Sequence, residues 1–384
     1  VPSPTPESTP ARVLLDAAQG PLDPVARDTL LAAVDAGWAD PRRLHREGRQ
    51  AALLLDRARE LLADGLGVRP DELSLHPSGT HALLTGVRGL RRARRRVGEA
   101  LVTSVIDQAA LLREPAPLTG VPVDASGRLT DGAWRTAVSA AGVAVAALAV
   151  ANGEIGTTQH LDAAAQACVD AAVPLLLDAT SAWGRLPLPL HGQVYAADAA
   201  SFAGPPLGVL AVRTGTRFAA DGPVSGPERG REPAPPLVPL ALAAAEAWQQ
   251  GAAARAHDTD VAAALVDRIR MAAAGVPDVE VVGDPVERLP HVVTFSALYV
   301  DGETLVHEFD RRGFAVASGS ACTADTLEPS HVLAGIGALT HGNVRVTLPL
   351  PSLHPTLTDG VERFCAELPD VIATVRAHLG TDRL

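Results

Sequence analysis

The feature that most constrains how this chain folds is an alternation. Short apolar runs at residues 101–106, 143–150, 173–177 and 207–212 are separated by Ala-rich stretches of helical character. Runs this short and this apolar suit strands buried on both faces, and strands alternating with helices build a mainly parallel sheet covered on both sides. Residues 51–63 form one such helix, with Leu54, Ala58, Leu61 and Leu62 at helical spacing, Asp56, Arg57, Arg59 and Glu60 facing away, and Gly65 as a stop signal. Between residues 221 and 239 the composition shifts to Gly, Pro, Glu and Arg, marking a long irregular segment that is a surface linker or a functional loop. Residues 240–273 read as helical. Short strands at 279–282, 291–296 and 343–347, with helices between them, suit a smaller α+β domain. The expected organisation is a disordered Pro/Ser/Thr-rich leader over 1–12, a large domain over 13–245 and a small C-terminal domain over 246–384.

Composition narrows the function. With 47% hydrophobic residues, 20% charged and a net charge of -11, the chain is globular and offers no overall attraction to nucleic acid or an anionic membrane. The cluster Arg91, Arg92, Arg94, Arg95 and Arg96 reads as a solvated helix end, where cations suit the macrodipole. The longest apolar run, 140–151, is too short to span a bilayer, so the expected location is the cytoplasm. Three cysteines, Cys168, Cys322 and Cys365, with no Cys-x-x-Cys pair suggest neither a disulfide framework nor a cysteine zinc site. His76 and His81 are five apart, which does not place both on one helical face, and no acidic residue is seen to complete a ligand set; no metal site is expected. All 33 basic residues are Arg and none is Lys, so nothing in this sequence can form a lysine Schiff base.

The stretch Ala317-Ser318-Gly319-Ser320-Ala321-Cys322-Thr323, followed by Leu327-Glu328-Pro329-Ser330-His331, sets a cysteine among small residues. By composition a reactive thiol and a core thiol are equally admissible there. The segment resembles the active-site loop of the cysteine desulfurases, in the class V aminotransferase group of fold type I pyridoxal-phosphate enzymes. Leu15-Asp16-Ala17-Ala18-Gln19-Gly20-Pro21 and residues 45–51 are similar to that family's opening segments, and residues 75–80 to the strand and glycine turn that face the cofactor phosphate. Asn152-Gly153-Glu154-Ile155-Gly156 resembles its Asn-Asn-Glu-x-Gly motif, Asp178 its pyridine-binding aspartate and Arg345 its substrate-carboxylate arginine. Read from the residues alone, Asp178 and Asn152 also suit turns, and Arg345 a structural ion pair.

The resemblance implies a large domain with a seven-stranded-type, mainly parallel sheet plus a smaller α+β domain. It implies Cys322 as the persulfide-forming nucleophile and Gly79, Thr80, His81, Gln108, Asn152, Asp178, Ser181 and Ser201 as cofactor-site positions. Several of these depart from the family pattern. Ser201-Phe202-Ala203-Gly204-Pro205-Pro206-Leu207-Gly208 stands where the family has Ser-x-His-Lys and Gly-Pro-Lys-Gly, so the Schiff-base amine is missing. Asp107-Gln108 replaces a Glu-His pair whose imidazole stacks on the pyridine ring, His81 begins a run where Thr-Glu-Ser-Asn is expected, Ser181 replaces a glutamine and Pro235 a threonine. Pyridoxal phosphate is therefore expected only non-covalently or not at all. Three readings follow: sulfur mobilisation or relay through a Cys322 persulfide to an acceptor protein; an inactive partner of a lysine-bearing paralogue in a heterodimer, as against a homodimer; or a pocket adapted to another small molecule.

Overall fold

The computed structural model describes residues 12–37, 39–188, 191–220, 228–233, 238–319 and 329–380. Strand β1 (Val13–Leu14) opens this part of the chain. The main sheet is built from β2 (Leu73–His76), β3 (Ala100–Ser104), β4 (Leu118–Val121), β5 (Val143–Ala149), β6 (Leu175–Asp178), β7 (Val194–Asp198) and β8 (Gly208–Val212). Their spatial order is β2-β8-β7-β6-β5-β3-β4. The five strands from β7 to β4 pair in parallel, and β8 runs antiparallel to both of its neighbours. This is the mainly parallel seven-stranded sheet expected from the sequence.

Alternation within the strands explains the two covered faces. Tyr195, Ala197, Val209 and Ala211 lie in one buried cluster, while Val194, Ala196, Leu210 and Val212 lie in another on the opposite side. The first cluster packs beneath helices α1 (Pro24–Asp35), α2 (Arg46–Gly65) and the helix Val238–Gln250. The second is roofed by α3 (Gly79–Ala93), whose Ala82, Leu83, Val87 and Leu90 form one apolar stripe. All seven residues of β5 are buried, and four of them are Ala, leaving room for close packing.

A second core gathers around β9 (Val279–Val281), β10 (Val292–Ala297), β11 (Phe314–Ala315) and β12 (Asn343–Thr347), with the order β12-β10-β9. Helices Arg255–Ala274 and Leu357–Leu379 cover it. β1 pairs with β11 and Leu15 is buried in this core, so residues 13–15 join the C-terminal unit although they precede the large sheet. The stretch read as one helix over 240–273 is two, Val238–Gln250 and Arg255–Ala274. The 245/246 division therefore falls inside the first of these, whose Ala247 belongs to the large-sheet core. Among the described residues no helix is long and apolar enough to cross a membrane.

Candidate functional site

The C-terminal ends of β3, β6 and β7 and the N-terminus of α3 converge at one edge of the sheet, where parallel α/β folds hold ligands. The turn between β2 and α3 demands close approach. A Cβ on Gly79 would lie 2.6 Å from Thr180 Cγ2 and 2.8 Å from Asp198 Cβ, so only glycine fits. Ser78 caps α3 by accepting the His81 amide at 3.2 Å, and the Gly79 amide donates to Asp198 Oδ2 at 2.7 Å. The helix N-terminus thus faces a carboxylate of the chain itself.

Thr80, Gln108 and Asp178, all singled out from sequence, meet in one network. Thr80 Oγ1 donates to Gln108 Oε1 at 3.2 Å, and Gln108 Nε2 donates to Asp178 Oδ2 at 2.7 Å and to Thr180 Oγ1 at 2.9 Å. The other Asp178 oxygen accepts the Thr180 amide at 2.9 Å and its hydroxyl at 2.6 Å. Asp178 is buried, which raises its pKa from the ordinary aspartate value against the pull of these donors. Asp107, beside Gln108, is pushed up to about 6 by burial, although Thr103 Oγ1 and the Ser104 amide donate to it at 2.5 and 2.9 Å.

The expectation that no acidic residue joins the two histidines is overturned. His76 ends β2 and His81 lies in the first turn of α3, so the intervening bend folds their rings together, and sequence spacing on a single helix is the wrong measure. Their Nδ1 atoms are 3.3 Å apart, and Glu232 Oε2 is 3.5 Å from each. Glu232 comes from the irregular segment, which is anchored by Glu228. That carboxylate is fully buried, accepts Arg59 at 2.8 and 2.9 Å and accepts the Leu75 amide at 2.7 Å. Burial lowers the His76 pKa to about 3, leaving its ring neutral.

The remaining candidates are engaged locally. Asn152 is a turn residue: its Nδ2 donates to Ile106 O at 2.7 Å and its Oδ1 accepts the Glu154 and Ile155 amides. Ser181 lies over Gly153, where an added Cβ would come within 2.5 Å of its Oγ. Ser201 Oγ lies 2.7 Å from the carbonyl oxygens of both Trp183 and Asp198, which share its one hydrogen. The shortened segment after it closes on itself. Ala203 takes a left-handed φ of 63°, Gly204 N donates to Ala199 O, and Phe202 packs edge-on against Trp183 and Trp248.

Arg345 lies on β12 opposite Thr294, and its Nε is buried with no hydrogen-bond partner among the described residues. Cys322 and Pro235 lie outside the described residues. Both ends of the Cys322 segment are tied down. Ala317 pairs with Arg345 through the backbone and Ser318 Oγ donates to Asn343, while Ser330 Oγ donates to Glu154 at 2.6 Å and His331 Nε2 lies 2.8 Å from Asp107 O. Thr180, Asp198 and Glu232 escaped the sequence reading. The first two sit at strand ends, where a polar residue was a readable signal; Glu232 had none beyond its place in the irregular segment.

Comparison with known proteins gives these elements a context. The aminotransferase class-V family model matches residues 14–214 and 227–351. A cysteine desulfurase of Cereibacter sphaeroides is 31% identical over 377 residues, covering 93% of this chain and 94% of its own. An IscS-like cysteine desulfurase of Mycobacterium tuberculosis is 30% identical over 382 residues, covering 94% and 96%. Among solved structures, a NifS-like protein superposes with a TM-score of 0.85 at 20% identity, covering 94% of this chain and all of its own, a likeness of fold.

Proposed function

The chain belongs to the class-V aminotransferase family as a cysteine desulfurase-like member, and from that premise we propose that it relays sulfur through Cys322 without lysine-bound pyridoxal phosphate. The family uses that cofactor, but the residues here do not fit it. The Asp178 oxygen that would meet a pyridine nitrogen is taken by the Gln108 amide at 2.7 Å, and this is the observation that carries the reading. The Gly79 amide, at the turn that would cradle a phosphate, already faces the Asp198 carboxylate, and a second carboxylate, Glu232, stands beside His81. An added dianion would meet two like charges there. None of the 33 basic residues is Lys.

Sulfur relay needs none of these groups. The Cys322 thiolate attacks the terminal sulfur of a donor persulfide, the donor's S–S bond breaks, and the donor thiolate leaves and takes up a proton. The oxidation level of sulfur is conserved, and the reverse step loads an acceptor thiol. The described residues on either side of Cys322 are tied to the fold through Ser318 and Ser330, and Arg345 Nε, without a partner among the described residues, offers a donor to the carboxylate of a small donor such as cysteine persulfide.

The test compares three incubations: with cysteine alone, with cysteine plus pyridoxal phosphate, and with a persulfide-loaded active desulfurase. Mass spectrometry of the Cys322 peptide should show one added sulfur only in the third, and Cys322→Ser should abolish it. Alanine release from cysteine by this protein alone, or no transfer from a loaded donor, refutes the relay.

A further inference from the structure

We propose that His76 Nδ1, His81 Nδ1 and Glu232 Oε2 form a three-ligand site for a divalent cation of the zinc class. Their separations are 3.3, 3.5 and 3.5 Å. Two vertices of a tetrahedron with metal–ligand bonds of 2.0–2.1 Å are about 3.3 Å apart, so the three atoms stand as the corners of one tetrahedral face. The same separations are too long for good N–H···O hydrogen bonds, which fall at about 2.7–3.2 Å.

The hydrogen-bond network behind His76 points the same way. Ser74 Oγ lies 3.0 Å from His76 Nε2 and donates its only hydrogen to Leu210 O at 3.2 Å. With the hydroxyl hydrogen on the Leu210 carbonyl, the ring donates from Nε2 to the hydroxyl and the lone pair lies on Nδ1. That lone pair faces a carboxylate oxygen, two acceptors turned toward each other inside the protein. A cation between them resolves the conflict, and a ligating imidazole held through its other nitrogen is the usual support for a metal.

The surrounding charges permit it. Arg231 adds positive potential near His76 and the N-terminus of α3 adds more, but Asp198 accepts the first amide of that helix and Glu232 is itself a ligand. Thr85 Oγ1, 3.5 Å from His81 Nδ1, is a further polar neighbour of that nitrogen. His76 is buried while the His81 side chain is 46% exposed, so the fourth coordination position opens to solvent for water or a small ligand. The three ligands come from β2, α3 and the segment after Glu228, so a bound cation would also clip these elements together.

The experiment strips the protein with a chelator, then titrates zinc in competition with a chromophoric chelator. One zinc per chain is expected, with cobalt giving the intense visible bands of a tetrahedral site. His81→Ala removes an exposed ligand without touching the core and should weaken binding by roughly 100-fold or more, while Ser74→Ala should weaken it by roughly 10–100-fold through the second nitrogen of His76. His160→Ala, at an exposed His–Glu pair elsewhere, should change nothing. Absence of stoichiometric zinc, or unchanged affinity in His81→Ala, overturns the site. Neither Cys322 nor persulfide transfer enters this test, so its failure leaves the relay standing.

Discussion

Replacing Gln108 by Ala isolates the contact that closes the Asp178 carboxylate. The amide donates at 2.7 Å to Asp178 and 2.9 Å to Thr180, and accepts at 3.2 Å from Thr80. A hydrogen bond to a charged group contributes about 1.5–3 kcal/mol and a neutral one about 1 kcal/mol, so losing one of the first kind and two of the second should cost about 3.5–5 kcal/mol with Asp178 charged. The loss depends on pH in a definite direction. Burial already raises the Asp178 pKa in the folded state, so the unfolded chain releases this proton first and stability falls as pH climbs above the ordinary carboxylate range. Gln108 favours the charged form; removing it raises the folded pKa further, and the variant loses more than the wild type. In acid, where Asp178 is protonated in both folded proteins, the gap should shrink toward about 3 kcal/mol, the value of three neutral bonds. Urea unfolding of both proteins at neutral pH and in acid, read by circular dichroism and compared at unchanged slope, measures the gap. A gap independent of pH, or a loss below about 0.5 kcal/mol, refutes the reasoning.

Glu228→Gln should cost about 3–5 kcal/mol in urea unfolding, because it leaves the buried Arg59 guanidinium without its counter-charge; a cost below about 1 kcal/mol would show the pair to be dispensable. The Asp107 carboxyl should titrate at about 6 in a carbon-13 NMR experiment. Its raised folded pKa means that stability is lost as pH rises from about 4 to that midpoint, by about 3 kcal/mol, and a midpoint in the ordinary aspartate range contradicts this. Cys168 is buried and its thiol is pushed up to about 12, so in a Cys322→Ser background it should react with thiol reagents only on unfolding. Rapid labelling of native protein at Cys168 would contradict the burial.

The large sheet was legible because its strands are short apolar runs on a period that buries both faces, and β5, β6 and β8 fall within a residue or two of their expected ends. Direction was not read. Yet β8 follows β7 through a link of residues 199–207, too short for the crossover that parallel pairing requires, so its antiparallel course was implicit in the spacing. The Ala-rich stretch after residue 238 hid its break at Gly251, since a run of small residues carries little periodic contrast to mark where one helix stops. The membership of residues 13–15 in the C-terminal core was beyond a linear reading, because β1 finds its partner just over three hundred residues later, Val13 opposite Phe314.

At the site, resemblance identified positions, and the fold shows what their side chains contact. Gln108 read as a lost imidazole; in the folded chain it is the donor that satisfies Asp178, seventy residues away. Asp198 drew no attention, yet it occupies the helix terminus at Gly79 from 119 residues away. These replacements follow from a physical requirement. A carboxylate 6% exposed and a helix-terminal amide cannot be left unpaired when a ligand no longer supplies their partners, since each orphaned group costs about 1–3 kcal/mol. On the relay proposed above, groups that a cofactor would otherwise satisfy need partners from the chain itself, and Gln108 and Asp198 supply them from elements that meet only in the fold. Arg345 is the contrast that sharpens the argument. Its Nε is buried with no hydrogen-bond partner among the described residues, so a carboxylate brought there by a ligand would gain a donor that is already desolvated.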